Sequence, residues 1–424
     1  FKEGLKSPPL FESICVKSVT LIRNNAWWSN VEMAPPDPIL GVAEAYTRDK
    51  SPYKVNLSVG AYRDDDGNPF ILPSVREAEK RIYKKKMDNE YAFNGVAGFA
   101  EQAVKFALGD ESEILKCKCN ASLQSLSGTG ALRLGTAFLS SFWSGNKVVY
   151  LPVPTWSNHF KVCEHAGLKV GTYRYYDPKT CGLDFDGMVE DIRKIPEKSI
   201  ILLHACAHNP TGVDPTTEQW CCLSKIIKEK NLLVFFDMAY QGFASGDPDY
   251  DAQAVRIFEK DGHKFILAQS FAKNMGLYGQ RIGLITICCC SKEEVEKVFS
   301  QLQVIVRGIY SSPPIHGGRI AAEIFGNKRL KEMWMCDLKT MTGRIIGVRK
   351  LLKENLIKQG SKKSWDHITN QIGMFCYTGL TPENVERLIK ESHIYLTSNG
   401  RISMAGVTSK NVEYLACAMH AVTK

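Results

Sequence analysis

The stretch FILAQSFAKNMGLYGQRI, residues 265–282, carries the first group of side chains whose types and spacing suit chemistry. It opens as a short apolar run, FILA, of the length expected for a buried strand, then breaks into Ser270, Lys273 and Asn274. A strand that delivers a lysine at its end can carry an amine into the interior. Burial there disfavours the ammonium form and leaves a nucleophile for a carbonyl. Ser270 and Arg281 flank the lysine, and a hydroxyl with a guanidinium suits a phosphate. Lysine, phosphate cradle and carbonyl together suggest pyridoxal phosphate held on Lys273 as a Schiff base. A solvated loop position is the commoner case for any single lysine, so the weight falls on the rest of the chain.

Other candidates recur along the sequence. Ser127-Gly128-Thr129-Gly130 leads into an amphipathic helical pattern; small residues there let backbone N–H groups face an anion, aided by the helix dipole. The motif is neither a Walker loop nor a dinucleotide fingerprint. Trp156 stands just past the strand-like run KVVYLPVP, where an indole can stack on a flat ring or join the core. SIILLHACAHNPTGV reads as a strand over 200–206 leading to Asn209. LLVFFDMAYQGF reads as a strand over 232–236 with Asp237 at its end. A buried acid there is costly unless paired, and a protonated ring nitrogen, a helix cap or a salt bridge would pair it. Tyr240, three residues on, could donate to a phenolate-like oxygen. Gly60 allows close backbone approach to a ligand. Arg401 follows the Asn399-Gly400 turn signal, either solvated or as a bidentate carboxylate clamp.

These residues need a scaffold that brings them together. Strand and helix signals alternate from about 122 to 290, which predicts an α/β fold with a mainly parallel sheet covered by helices on both faces. Ligands in such sheets bind beyond the carboxyl ends of the strands, and Trp156, Asn209, Asp237 and Lys273 all follow predicted strands. Residues 293–355 read as helical, with Arg307 and a Pro313-Pro314 stop between segments, and 365–424 reads as a separate α+β part.

Composition narrows the partners. At 424 residues, 44% hydrophobic and 23% charged, the chain is ordinary for a globular protein of two or three domains. No apolar run is long enough to cross a bilayer. The net charge of +9 is spread along the chain without a basic block or nucleic-acid motif, so anionic small molecules are favoured over nucleic acid. The 14 cysteines include the vicinal sets Cys221-Cys222 and Cys288-Cys289-Cys290, which suit no ordinary disulfide framework and point to a reducing compartment. Cys288 to Cys290 read as small core residues ending a strand, RIGLITICCC. Cys117 and Cys119 lack a second pair at zinc spacing, and no metal is expected. Residues 1–25 read as an organelle leader or a disordered tail. Trp27-Trp28 opens a proline-broken arm, 26–37, that needs a partner subunit or its own domain to cover it.

SGTGALR, PTW, HACAHNPTG, FFDMAYQGFASGD, SFAKNMGLYGQR and NGRISMAG, in this order, resemble the aspartate aminotransferases of the mitochondrial type, fold-type I pyridoxal-phosphate enzymes. The resemblance runs from about Trp27 to the C-terminus. It implies a large cofactor-binding domain over 70–340 and a small α+β domain built from 38–69 and 341–424. Lys273 is implied to hold the cofactor and shuttle the proton, with Asp237 on the pyridine nitrogen and Tyr240 and Asn209 on the phenolic oxygen. Trp156 is implied to stack on the ring, with His159 behind Asp237 and His204 as a further supporting residue. Ser127, Gly128, Thr129, Ser270 and Arg281 would hold the phosphate, joined by Tyr91 from a second subunit. Arg401 would grip the substrate α-carboxylate near Gly60, Trp156 and Asn209, and Arg307 of the second subunit the side-chain carboxylate. A homodimer with shared sites follows, as do dicarboxylic amino acids and 2-oxo acids as substrates and the mitochondrial matrix as the compartment. The implied reaction is ping-pong: L-aspartate leaves as oxaloacetate, then 2-oxoglutarate leaves as L-glutamate.

The sequence departs from the family pattern near the second subunit's contributions. Ala92-Phe93-Asn94-Gly95 is one residue shorter than the usual run after Tyr91, and Gly308 and Ser312 replace proline and asparagine around Arg307. A glycine beside Arg307 loosens the backbone that aims it, which opens the alternative of broader, aromatic or kynurenine-type specificity. A second role in binding lipid or an anionic membrane is the other alternative.

Overall fold

Seven apolar strands form the centre of the molecule in a computed structural model that describes residues 27–35 and 37–424. The leader or tail expected over 1–25 lies outside the described residues. The strands are β1 (Asn120–Leu126), β2 (Val148–Val153), β3 (Lys169–Arg174), β4 (Ile200–His204), β5 (Leu233–Met238), β6 (Phe265–Ser270) and β7 (Ile282–Cys288). Their order across the sheet is β1-β7-β6-β5-β4-β2-β3. All neighbours are parallel except around β7, which runs antiparallel to both β1 and β6. The mainly parallel sheet expected from the alternation is therefore present, with one reversed strand.

Every residue of β4, β6 and β7 is buried, as strands covered on both faces require. Alternation divides each strand between two cores. Phe235 and Ile285 join Leu302 and Val306 of the helix Lys292–Ile309 on one face. Phe236, Leu267 and Leu284 join Trp220, Trp334 and Leu338 on the other. The chain ends meet away from the sheet: Val55–Asn56 pairs in parallel with Ile394–Tyr395, and Phe375–Tyr377 pairs antiparallel with Arg401–Ser403. A single helix, Lys328–Lys358, runs continuously between the sheet and these terminal segments.

Two local expectations change. The strand expected to end in three core cysteines stops at Cys288, and Cys290 is exposed. The chain turns there because the Cys290 amide donates to Glu294 Oε2 at 2.5 Å, opening the next helix. The strand read as 200–206 stops at His204, since the residues after it curl back toward the cavity. Trp27 and Trp28 are 91% and 80% exposed, so the described residues do not cover them. Among the described residues no helix is long and apolar enough to cross a membrane, and no group of three or more metal-ligating side chains is gathered.

Candidate active site

The carboxyl ends of β1, β2, β4, β5 and β6, with the amino end of the reversed β7, open onto one cavity of about 200 Å³. β1 passes straight into the helix Ser127–Phe142 through a tight junction. Ser127 is left-handed at φ 62°, and a Cβ on Gly128 would sit 3.1 Å from Ser270 Cβ. Only glycine fits there without displacing β6. The Ser127 and Ser270 hydroxyls lie 3.0 Å apart, and Thr129 and Arg281 line the same corner. Hydroxyls, a helix N-terminus and a guanidinium so arranged form an anion cradle.

Lys273 stands half-buried in the loop after β6, its Nζ 5.2 Å from the centre of the Tyr240 ring. Burial lowers its pKa below the ordinary lysine range; Asp237 opposes that shift and Arg281 adds to it. Burial pushes the Tyr240 hydroxyl up, so it stays protonated and able to donate.

Asp237 sits on β5 directly opposite His204 of β4. Its Oδ2 is 3.0 Å from His159 Nε2. Burial raises the carboxyl pKa, but the hydrogen bond from His159 leads the opposing effects and holds Asp237 below the usual range. The hydrogen-bond directions behind it can be worked out. The Asn209 amide can only donate, and its acceptor is His204 Nδ1 at 3.4 Å. The His204 proton therefore lies on Nε2 and goes to Thr155 Oγ1 at 2.9 Å. The Thr155 hydroxyl then donates to His159 Nδ1 at 2.9 Å, leaving the His159 proton on Nε2, facing Asp237. Burial, together with His208 and His159, holds the His204 pKa well below normal, consistent with a neutral ring. The result is a carboxylate that receives a proton donor on one side and presents its other face to the cavity.

Arg401 is buried and contributes the opposite charge. Its guanidinium donates to Ser58 O at 2.8 Å and Asn209 Oδ1 at 3.3 Å, lies 4.1 Å from the Phe375 ring centre, and leaves Nε without a partner. Burial pulls its pKa down to about 10, so it remains a cation at neutral pH. Its partners are neutral oxygens and an aromatic face, which suits an incoming carboxylate. Gly60 permits this packing, since a Cβ there would sit 2.9 Å from Phe375 Cζ. The glycine thus admits the ring beneath Arg401.

Gly60, Ser127, Gly128, Thr129, Trp156, His204, Asn209, Asp237, Tyr240, Ser270, Lys273, Arg281 and Arg401 all line this cavity. His159 lies behind Asp237, as expected of a supporting residue. Tyr91 and Arg307 are elsewhere, on the outside of the chain. Tyr91 is 70% exposed and stacks on Phe93, while the exposed Arg307 bonds the Ser311 hydroxyl with its guanidinium 5.9 Å from the Phe93 ring centre. Sequence reasoning missed Thr155, Ser58 and Phe375. Thr155 lies within the PTW motif and was within reach; the other two were not marked by any local pattern.

This fold and site have relatives. The family model described as aminotransferase class I and II matches residues 52–419. The chain belongs to that family. It is 55% identical over 409 residues to the mitochondrial aspartate aminotransferase of Gallus gallus, covering 96% of this chain and 97% of that protein. Among solved structures, the aspartate aminotransferase from Saccharomyces cerevisiae cytoplasm superposes with a TM-score of 0.91 at 43% identity, covering 93% of this chain and 98% of that one. The aromatic-amino-acid aminotransferase from Burkholderia pseudomallei, covalently bound to pyridoxal phosphate, gives 0.91 at 40% identity, covering 94% and 100%.

Proposed function

We propose that this chain is an aspartate aminotransferase, exchanging amino groups between L-aspartate and 2-oxoglutarate to give oxaloacetate and L-glutamate. The single observation that carries the reading is a buried arginine, Arg401, sharing one cavity with a pKa-lowered lysine, Lys273, and a buried carboxylate, Asp237. The cofactor is pyridoxal 5'-phosphate. The residues fit it: the close Gly128–Ser270 approach, the Ser127, Thr129 and Ser270 hydroxyls and Arg281 line one cavity with Lys273. When bound, pyridoxal phosphate supplies an aldehyde that takes up and returns the amino group and a ring that draws electron density from the substrate α-carbon.

The chain's own residues do the rest. Ser127, Gly128, Thr129, Ser270 and Arg281 hold the phosphate, joined by Tyr91 of a second copy. Lys273 Nζ would hold the cofactor and would move the α-carbon proton, a role that its burial-lowered pKa favours. Asp237 would pair the ring nitrogen and favour its protonated form, and the Thr155–His159 relay holds Asp237 ionised and aimed. Tyr240 and Asn209 would hold the phenolic oxygen, and Trp156 would cover the ring; all three line the cavity. Arg401 binds the α-carboxylate, orienting the α-carbon for Lys273. Residues 38–69 and 341–424 form a small domain and 70–340 the large one; the pairing of Val55–Asn56 with Ile394–Tyr395 supports joining the two ends. The working form is a homodimer, supported by the exposed Trp27, Trp28, Tyr91 and Phe93. The compartment is the mitochondrial matrix, supported by the mitochondrial name of the Gallus gallus relative.

The test is the visible spectrum of the purified chain loaded with pyridoxal phosphate, before and after L-aspartate. A band that shifts as oxaloacetate is released is expected; a band indifferent to aspartate but responsive to another amino acid would move the specificity. A second reading, broader specificity, is favoured by one observation: Arg307 rests on Phe93 and Ser311, and a Cβ on its neighbour Gly308 would meet nothing within 4 Å. Arg307→Ala is expected to lower kcat/KM for aspartate by about 10²-fold, the scale of a lost charge-assisted hydrogen bond, and to leave phenylalanine within a few-fold. Equal losses for both substrates would remove Arg307 from side-chain recognition.

A further inference from the structure

The short helix Glu113–Lys116 ends in a defined cap. The Cys119 amide bonds Ile114 O at 2.9 Å, the Lys118 amide bonds Leu115 O at 3.1 Å, and Lys118 is left-handed at φ 56°. This is a Schellman cap, in which the residue usually left-handed is glycine. Its consequence here is to gather both cysteines on one carbonyl: the Cys117 thiol lies 3.5 Å from Ile114 O, the same oxygen that accepts from the Cys119 amide. A helical-type middle residue sets the Cα atoms at i and i+2 about 5.4 Å apart, by helix geometry. Disulfides form across about 4.4–6.8 Å, so this pair lies inside the window. The vicinal sets Cys221-Cys222, Cys288-Cys289 and Cys289-Cys290 do not, because neighbouring Cα atoms across a trans peptide are only about 3.8 Å apart.

Access and order also favour this pair. Cys117 is exposed and Cys119 is buried beside it, its thiol directed at Cys117 O at 3.7 Å. We propose that Cys117 and Cys119 form a reversible intrachain disulfide when the protein meets a small-molecule disulfide. The exposed Cys117 thiolate attacks one sulfur of the oxidant RSSR, forming a mixed disulfide and releasing RS⁻. The Cys119 sulfur then attacks Cys117 Sγ and releases the second RS⁻. The two cysteine protons end on the two RSH molecules, so two thiols are oxidised and one disulfide is reduced. The first step eases the second. The Cys119 thiol is held up chiefly by its hydrogen bond with Cys117, then by burial and the Cys117 charge, against Lys264 and Lys292. Capping Cys117 removes the first and third of these causes and leaves the two lysines acting. Cys289, whose amide donates to Cys119 O, is the nearest rival, but burial pushes its thiol up to about 12. The pair precedes β1, whose far end leads into Ser127 about 25 Å away, so oxidation here does not touch the active site.

The test treats the holoenzyme with oxidised glutathione and maps it under non-reducing conditions. The expected product is a loss of two thiols, with the tryptic dipeptide 117–118 linked to 119–133, reversed by dithiothreitol, and lost in Cys117→Ser but kept in Cys290→Ser. A glutathione adduct that persists on Cys117 would overturn the proposal, because Cys119 would then have failed to resolve it. So would a disulfide mapped to any other pair, or an unchanged loss of two thiols in Cys117→Ser.

Discussion

Lys273→Ala is expected to reduce aspartate transamination by at least about 10⁴-fold, the upper range of what a positioned acid–base group supplies. The amine has two tasks, and alanine removes both. In the proposed function it would hold the cofactor covalently and move the proton at the substrate α-carbon. The second task depends on the environment at the end of β6: the strand is buried throughout, and burial lowers the lysine pKa, which favours the neutral amine more than in a solvated lysine. Two measurements separate the tasks. Borohydride treatment of the loaded parent should fix one cofactor to the chain, and should fix none in the variant. Supplying a small primary amine should restore part of the turnover, because it replaces the base but not the tether. Turnover within tenfold of the parent would exclude Lys273 from the chemistry. A variant that is inactive yet still fixes one cofactor would place the attachment on another lysine.

Asp237→Asn is expected to lower kcat/KM for aspartate by about 10²–10³-fold, the scale of losing one preorganised electrostatic partner. The asparagine keeps the size of the side chain and still accepts from His159, so the core around β5 should stay folded. It removes the negative charge that, in the proposed function, keeps a proton on the ring nitrogen. Asp237 can remain ionised in a buried setting because the His159 N–H points at it, and that direction is set through Thr155 from His204 and the Asn209 amide. A matching cofactor affinity with a reduced kcat would assign the loss to charge rather than binding. A fall of less than about tenfold would mean that the nitrogen proton is held without Asp237.

How much of this was legible beforehand differs by residue. Lys273 and Asp237 were marked locally: each stands at or just past the end of a short apolar run, and a polar residue there is conspicuous. The alternation of strand and helix signals likewise implied a shared edge for Trp156, Asn209, Asp237 and Lys273, because parallel strands end on the same side of a sheet. Arg401 was ambiguous, since a turn arginine is ordinarily solvated. It is buried because Arg401–Ser403 pairs with Phe375–Tyr377, which puts the Phe375 ring beneath its guanidinium. Cys290 was misjudged for the opposite reason: an apolar-looking run continued past the point where a helix start takes over the backbone.

The chain by itself determined which segments are strands and which polar residues follow them, and hence the chemistry offered at one edge of a sheet, though not every strand end. Those properties follow from local periodicity and composition, which burial imposes on short stretches. Only the tertiary structure decided the partnerships across the chain. Asp237 meets His159 because β2, β4 and β5 lie side by side; Arg401 meets Ser58 and Asn209 because the chain ends fold together; Cys119 bonds Cys289 because β7 runs backward along β1. Strand order and long-range register set these contacts, and no pattern within a short window encodes them.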